Sequence, residues 1–189
     1  QVMNKEDMME LLESVAGGSL TPEDALQKIK IQPYEDLGFA KIDTHRGIRQ
    51  GAAEVIFGAG KTKEQLRVIL RSLYERSRGN LIATRASVEQ YEFVRAELPM
   101  MTYDPIARMI YLDRDTTIER DPERIILIVS AGTSDMPVAE EARLTAYLWG
   151  NCVKTCYDCG VAGIHRLMRH LDDIQSANVL IVVARMEGA

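Results

Sequence analysis

The sequence IILIVSAGTSDMP, at residues 125–137, combines an apolar run, a tight turn and the start of a helix. Its first five residues favour β-structure and show no polar alternation, which predicts a strand buried on both faces inside a parallel sheet. Ser134 and Asp135 are good N-cap residues, and Pro137 suits a first helical turn. The helix that follows is expected to bury one face, formed by Ala139, Ala142, Ala146 and Trp149.

A strand, a tight turn and a helix N-terminus together favour the binding of an anion. Free backbone N–H groups and the positive end of the helix dipole attract negative charge, usually a phosphate. A plain β–α turn without a ligand remains the alternative, because motifs this short also occur by chance.

The composition excludes several classes of protein. The 189 residues are enough for one large domain or two small ones. A net charge of −5 and a pI of about 5.3 argue against a general nucleic-acid binder. No apolar run approaches membrane-spanning length and no signal peptide opens the chain, so we expect no membrane partner. Three clustered cysteines argue against a disulfide framework and favour a cytoplasmic protein.

Residues 1–120 are predicted to form a small N-terminal α/β domain. Two helices come first, over residues 4–15 and from Thr21 to about residue 31. Strands alternating with helices are then expected at residues 39–43, 54–57, 81–84 and 109–112. The charged segment 114–124 is interpreted as a linker.

Basic side chains of this unit stand at strand ends or turns, where they suit a phosphate or carboxylate ligand. Ordinary solvated surface charge is the alternative. The residues are His45, Arg46, Arg49, Lys61 and Arg85.

Residues 121–189 show the pattern β-α-β-α-β, which predicts a parallel sheet with right-handed crossovers. Ligands of such sheets bind beyond the carboxyl ends of the strands. Here those ends carry Ser134 and Asp135, then His165 and Arg166, then Glu187. A single histidine in a first helical turn is often only a cap or a surface residue, but the convergence of three strand ends favours a functional role.

The cysteines Cys152, Cys156 and Cys159 have the spacing C-x-x-x-C-x-x-C, which also describes an iron–sulfur motif. If residues 152–156 form a strand, the first two Cα atoms lie about 13 Å apart, too far for one cluster. We therefore expect no iron–sulfur cluster, and we interpret the cysteines as small apolar residues of a buried strand.

The chain resembles the LarB family of nickel-pincer nucleotide biosynthesis at residues 131–142, 158–166 and 186–189. The first unit is also similar to that family, through His45-Arg46, residues 49–51 and 54–58, Lys61-Thr62 and Thr84-Arg85. The second unit is in turn similar to PurE, the mutase or carboxylase of aminoimidazole ribonucleotide. The resemblance implies a truncated PurE-like, flavodoxin-like three-layer domain after the N-terminal α/β domain.

The resemblance implies a carboxylase/hydrolase. Nicotinic acid adenine dinucleotide and CO2 would give pyridinium-3,5-biscarboxylic acid mononucleotide and AMP. Because a pyridinium ring is electron-poor, the family adds a cysteine thiolate to it, which turns the ring into an enamine-like nucleophile.

The resemblance also implies site residues. Glu187 would be the general base and His165 a second catalytic residue. Magnesium at the phosphoanhydride is a possible cofactor, and no protein metal ligand is assigned. Substrate binding is assigned to Ser134, Asp135, Gly163, Arg166, Arg46, Arg49 and Lys61.

The chain departs from the family pattern at several positions. Arg185 stands where the family has glycine, and Cys159 replaces a usual valine. The nucleophilic cysteine of the family would follow Ala189, so we expect a C-terminally truncated chain that is inactive alone. The complete protein is expected to be a homo-oligomer.

Two other functions remain open. A PurE-type carboxylase or mutase is the first, although that enzyme needs no N-terminal α/β unit. A nucleotide-binding module without catalysis is the second.

Overall fold

The computed structural model describes residues 5–29, 34–36, 41–43, 55–160 and 163–185. Helices and strands alternate along this part of the chain, as an α/β protein requires. In chain order the elements are α1 (Lys5–Ala16), α2 (Pro22–Ile29), β1 (Tyr34–Asp36), β2 (Lys41–Asp43), β3 (Val55–Phe57), α3 (Lys63–Arg76), β4 (Leu81–Thr84), α4 (Val88–Arg95), β5 (Thr102–Asp104), β6 (Met109–Leu112), β7 (Ile125–Ser130), a 3₁₀ turn (Thr133–Asp135), α5 (Met136–Leu148), β8 (Cys152–Cys156), α6 (Ile164–Met168), α7 (Leu171–Ser176) and β9 (Val179–Val183).

The first large sheet is mixed and has the strand order β3-β4-β6-β5. β3 pairs with β4 in parallel, whereas β6 is antiparallel to both β4 and β5. Leu66 and Leu70 of α3 are fully buried against Leu81 and Ile110 of this sheet. Strands predicted at 54–57, 81–84 and 109–112 are confirmed, but β5 was not predicted because it has only three residues.

The second sheet is wholly parallel, with β7 between β8 and β9. Leu127 and Ile128 of β7 have no exposed surface, which confirms the buried strand read from the apolar run. The predicted α/β class is therefore confirmed. β9 is an edge strand, and its side chains Val179, Leu180 and Val182 are about half exposed.

Helix α5 packs on both sheets. Its Leu144 and Leu148 lie in one cluster with Ile82 and Met109 of the first sheet, while other residues of α5 contact β7 and β8. The sequence predicted one buried face, and this was wrong for Trp149, which is 44% exposed at the end of the helix. A helix between two sheets needs apolar side chains on more than one face. The proposed boundary between residues 120 and 121 stays a prediction.

The single helix expected after Gly163 is instead two short helices, α6 and α7, with a turn at Arg169 and His170. α7 carries Asp172 and Asp173 in its first turn, where the helix dipole favours acidic side chains. Within the described ranges, no helix has the length and apolarity that crossing a membrane requires.

Candidate functional site

The loops that follow the three parallel strands meet at the carboxyl edge of the second sheet. The backbone N–H of Cys159 donates to the carbonyl of Ser130 at 2.9 Å, and that of Gly160 donates to Ala131 at 3.0 Å. Ala131 N–H in turn donates to Val183 at 3.1 Å. These bonds hold together the loops that precede α5 and α6, so the predicted convergence of strand ends is confirmed for β7, β8 and β9.

The loop after β7 contains Ser134 and Asp135. Ser134 is exposed, whereas Asp135 is only 6% exposed. The Asp135 carboxylate accepts a hydrogen bond from Gly132 N–H at 3.1 Å and makes no capping bond to α5. Asp135 therefore occupies the N-cap position of α5, as predicted, but its side chain does not bond to the helix, because a 3₁₀ turn separates the strand from the helix and directs this carboxylate back into its own loop.

The loop after β8 places Gly163, His165 and Arg166 at the same edge. Arg166 forms an ion pair with Asp158, a residue in the left-handed conformation (φ 56°). His165 and Arg166 are both exposed on α6. The guanidinium lies over Gly163, since a Cβ at that position would be 2.5 Å from Arg166 Nε. A cation with several unused N–H donors at the carboxyl edge is suited to an anionic ligand.

A cluster beneath this loop was not found from the sequence. Glu140 of α5 is 8% exposed, accepts a hydrogen bond from the Tyr157 hydroxyl and pairs with Arg143 at 2.8 Å. Glu140 and Arg143 are three residues apart on a predicted helix, where opposite charges at this spacing pair, so their ion pair could have been predicted from the sequence. Tyr157 gave no signal, because its contact with Glu140 depends on how α5 packs on β8. The cluster anchors the start of the loop that carries Asp158.

Replacing Tyr157 by phenylalanine is expected to make the free energy of unfolding less sensitive to alkaline pH. Burial, and secondly the Glu140 carboxylate, raise the pKa of Tyr157. The unfolded chain loses this proton at about pH 10, where the folded protein still holds it. The contribution of Tyr157 to the free energy of unfolding is therefore fully present below about pH 10, and it is lost as the pH rises above that value. Urea unfolding from neutral to alkaline pH measures the effect, and parallel curves for the two proteins would contradict it.

A groove of about 470 Å³ lies at the end of β3 and β4 in the first unit, and Lys61 lines it. Arg85 and Arg108 also line it, both in the left-handed conformation (φ 53° and 54°). Arg85, one of the basic residues interpreted as suited to an anion or as surface charge, pairs with Glu141 and so joins the end of β4 to α5. His45, Arg46, Arg49 and Glu187 fall outside the described residues.

The cysteines lie on and just after β8. The strand predicted at residues 152–156 is confirmed, and it keeps Cys152 at the opposite end from Cys156. Cys156 and Cys159 are joined in a disulfide with their Cα atoms 6.4 Å apart. The expectation that cysteines would not pair was wrong, because the turn after β8 brings these two residues together.

The fold defines an α/β protein, and the loops at the carboxyl ends of its parallel sheet are where ligands of such sheets usually bind. Residues 34–114 match the family model of the LarB/PurE-like N-terminal domain. The chain is also 32% identical over 194 residues to an uncharacterized protein of Methanocaldococcus jannaschii, with 97% of this chain and 74% of that protein covered. The chain thus belongs to the LarB family, one of the related groups of PurE-like carboxylases and mutases.

Proposed function

We propose that the protein is a carboxylase/hydrolase that converts nicotinic acid adenine dinucleotide and CO2 into pyridinium-3,5-biscarboxylic acid mononucleotide and AMP. The observation that supports this best is the position of Arg166, an exposed cation at the carboxyl edge of the parallel sheet. A substrate with a ring carboxylate and two phosphates offers several anionic groups to this cation. Membership in the LarB family supports the same reaction.

At this edge, Arg166 binds a phosphate or the ring carboxylate, and Ser134 donates its hydroxyl to the nucleotide. Gly163 leaves room for the guanidinium, and His165, exposed on the same short helix, is the second catalytic residue. The role of Asp135 is to shape the loop, because its buried carboxylate is bound to Gly132.

The adenylate half of the substrate is assigned to the groove of the first unit. Lys61 supplies positive charge there, and Arg46 and Arg49 are proposed to add to it. The ion pair between Arg85 and Glu141 connects this groove to α5. Glu141 lies five residues after the start of α5 at Met136, about 8 Å along the helix from the loop that carries Ser134, a span that an extended dinucleotide covers.

In the proposed reaction, a cysteine thiolate adds to the pyridinium ring, and the resulting enamine attacks CO2. Glu187 then removes the ring proton, and departure of the thiolate restores the aromatic ring. Hydrolysis of the phosphoanhydride by water releases AMP.

Magnesium is not assigned to protein ligands. Mg²⁺ prefers oxygen ligands, often carboxylates together with substrate phosphates. Of the carboxylates described in the two site loops, Asp135 is bonded to Gly132 and Asp158 is paired with Arg166. These residues do not form a magnesium site, so any ion is proposed to arrive with the phosphates.

The proposal is tested by incubating the complete gene product with the dinucleotide, ¹³C-bicarbonate and magnesium, followed by mass spectrometry. We expect AMP and a dicarboxylated pyridinium mononucleotide that carries one ¹³C atom. Omission of bicarbonate is the control and should abolish the dicarboxylated product. Unchanged dinucleotide would refute the proposal, and aminoimidazole ribonucleotide would then test the PurE-type alternative. Tight binding of the dinucleotide without turnover would identify a non-catalytic module.

Replacing Gly163 by alanine is expected to weaken dinucleotide binding about 10-fold, equivalent to about 1.4 kcal/mol, with little loss of stability. The new Cβ would lie 2.5 Å from Arg166 Nε and would displace a guanidinium at the end of a flexible side chain. Binding is measured by calorimetry and stability by urea unfolding.

Gly160→Ala is the matched control. Its Cβ would lie 2.9 Å from the backbone oxygen of Ala131, which cannot move freely, so the variant is expected to lose about 1–2 kcal/mol of stability. Unchanged dinucleotide binding in Gly163→Ala would contradict the assignment of Gly163 to the ligand site.

A further inference from the structure

Three metal-ligating side chains converge beside the candidate site. Cys156 ends β8, Cys159 lies in the turn after it, and His170 lies between α6 and α7. One ligand atom from each residue lies within 4.8 Å of the other two. Cys156 and Cys159 are 1% and 5% exposed, and His170 is half-buried, so the group is an enclosed cluster.

The donor set matches a soft divalent ion. Zn²⁺ binds cysteine sulfur at about 2.3 Å and histidine nitrogen at about 2.1 Å, so in a tetrahedral site two of these ligand atoms are roughly 3.5–3.8 Å apart. Reduction of the disulfide frees the two sulfurs to move apart to that distance, and the histidine nitrogen is already within 4.8 Å of them. The C-x-x-C spacing of Cys156 and Cys159 is typical of one half of a zinc site.

A carboxylate, that of Asp173, lies beside the His170 ring. Asp173 Oδ2 is 3.6 Å from His170 Nδ1, and Asp173 Oδ1 accepts a hydrogen bond from Lys154 at 2.7 Å. Histidines that bind metals usually direct their second ring nitrogen at such a group. This arrangement leaves Nε2 of His170 for an ion.

We propose that reduced Cys156 and Cys159, together with His170, bind one Zn²⁺ ion. A dithiol reduces the Cys156–Cys159 disulfide to two thiols and is itself oxidised to a disulfide. Metal binding then releases the two thiol protons, and water fills the fourth position. The disulfide and the zinc complex are alternative states of the same residues, and both connect β8 to the segment that carries Arg166. This zinc site has no part in the proposed reaction, and the zinc proposal does not depend on that reaction.

The test uses the complete gene product, reduced, freed of reductant and kept without oxygen. Zinc content by elemental analysis should reach one ion per chain. Titration with Co²⁺ should produce a thiolate-to-cobalt charge-transfer band and the visible bands of a tetrahedral complex. The same protein with its disulfide intact should show neither. A reduced protein that binds no zinc would overturn the proposal.

Substitutions of the three proposed ligands, compared with a substitution elsewhere on β8, test which residues bind the ion. Cys159→Ser should weaken Co²⁺ binding and reduce the charge-transfer band, because one of the two thiolates is lost, and Asp173→Asn should weaken zinc affinity at least 10-fold. His170→Ala should weaken affinity by a larger factor, and its half-buried position makes misfolding less of a concern than at the buried cysteines. Cys152→Ser, at the opposite end of β8, is the matched control and should bind zinc like the wild type. Undiminished affinity in His170→Ala, or equal losses in Cys152→Ser and Cys159→Ser, would refute the site.

Discussion

Replacing Arg166 by alanine is expected to lower kcat/KM for nicotinic acid adenine dinucleotide about 100-fold in the complete gene product. A charge-assisted hydrogen bond to an anionic group contributes about 1.5–3 kcal/mol, and 2.7 kcal/mol corresponds to a factor of about 100. Stability should change little, because the ion pair of Arg166 with Asp158 has both side chains about half exposed. Steady-state kinetics and urea unfolding of the same preparation separate the two effects.

Arg169→Ala is the matched control for this experiment. Arg169 is an exposed arginine that follows the same short helix, three residues further along the chain. Its removal changes the net charge by the same amount but is expected to leave kcat/KM within about twofold of wild type. If Arg166→Ala and Arg169→Ala were equally active, the assignment of the ligand to the carboxyl edge would fail.

Replacing Asn80 by alanine is expected to lower the free energy of unfolding by about 3 kcal/mol. Asn80 is 2% exposed, and its Oδ1 accepts hydrogen bonds from the backbone N–H groups of Arg114 and Asp115 at 2.7 and 2.8 Å. Its Nδ2 donates to the carbonyl of Leu148 at 2.8 Å. Alanine leaves these three backbone groups without their partner, and each buried unsatisfied group costs about 1–3 kcal/mol. Thermal unfolding should shift down by about 10 °C.

Asn151→Ala is the control for the loss of an asparagine. Asn151 is partly exposed and makes one hydrogen bond from Nδ2, to Ala146 at 2.9 Å. We expect a loss of about 1 kcal/mol, the typical contribution of a single hydrogen bond. A loss for Asn80→Ala no larger than this would show that Asn80 does not hold α5 to the first sheet.

Much of the fold was predictable because the apolar pattern of each segment is local. The run at residues 125–129 predicted β7, and the parallel pairing of β7 with β8 and β9 followed from the β-α-β order. The positions of Ser134, His165 and Arg166 after strand ends predicted one shared edge, and the loops do meet there.

The details of the site were less predictable. Asp135 occupies the predicted N-cap position of α5, but its side chain bonds to Gly132 instead of the helix, because the preceding 3₁₀ turn changes its direction. Tyr157 is 17 residues from Glu140, and no periodicity relates them. The sequence left Arg85 open between an anion ligand and surface charge, and its ion pair with Glu141, 56 residues away, could not be predicted.

The sequence by itself determined most of the helices and strands of both sheets, the α/β class, the family and the strand ends that carry polar residues. These properties depend on neighbouring residues and on short motifs, which a sequence displays directly. Only the tertiary structure decided that Asn80 joins Leu148, 68 residues away, and that His170 approaches Cys156 and Cys159. Such contacts form when packed helices and sheets bring distant segments together. The residues that neighbour each partner along the chain do not predict which distant residue it will contact.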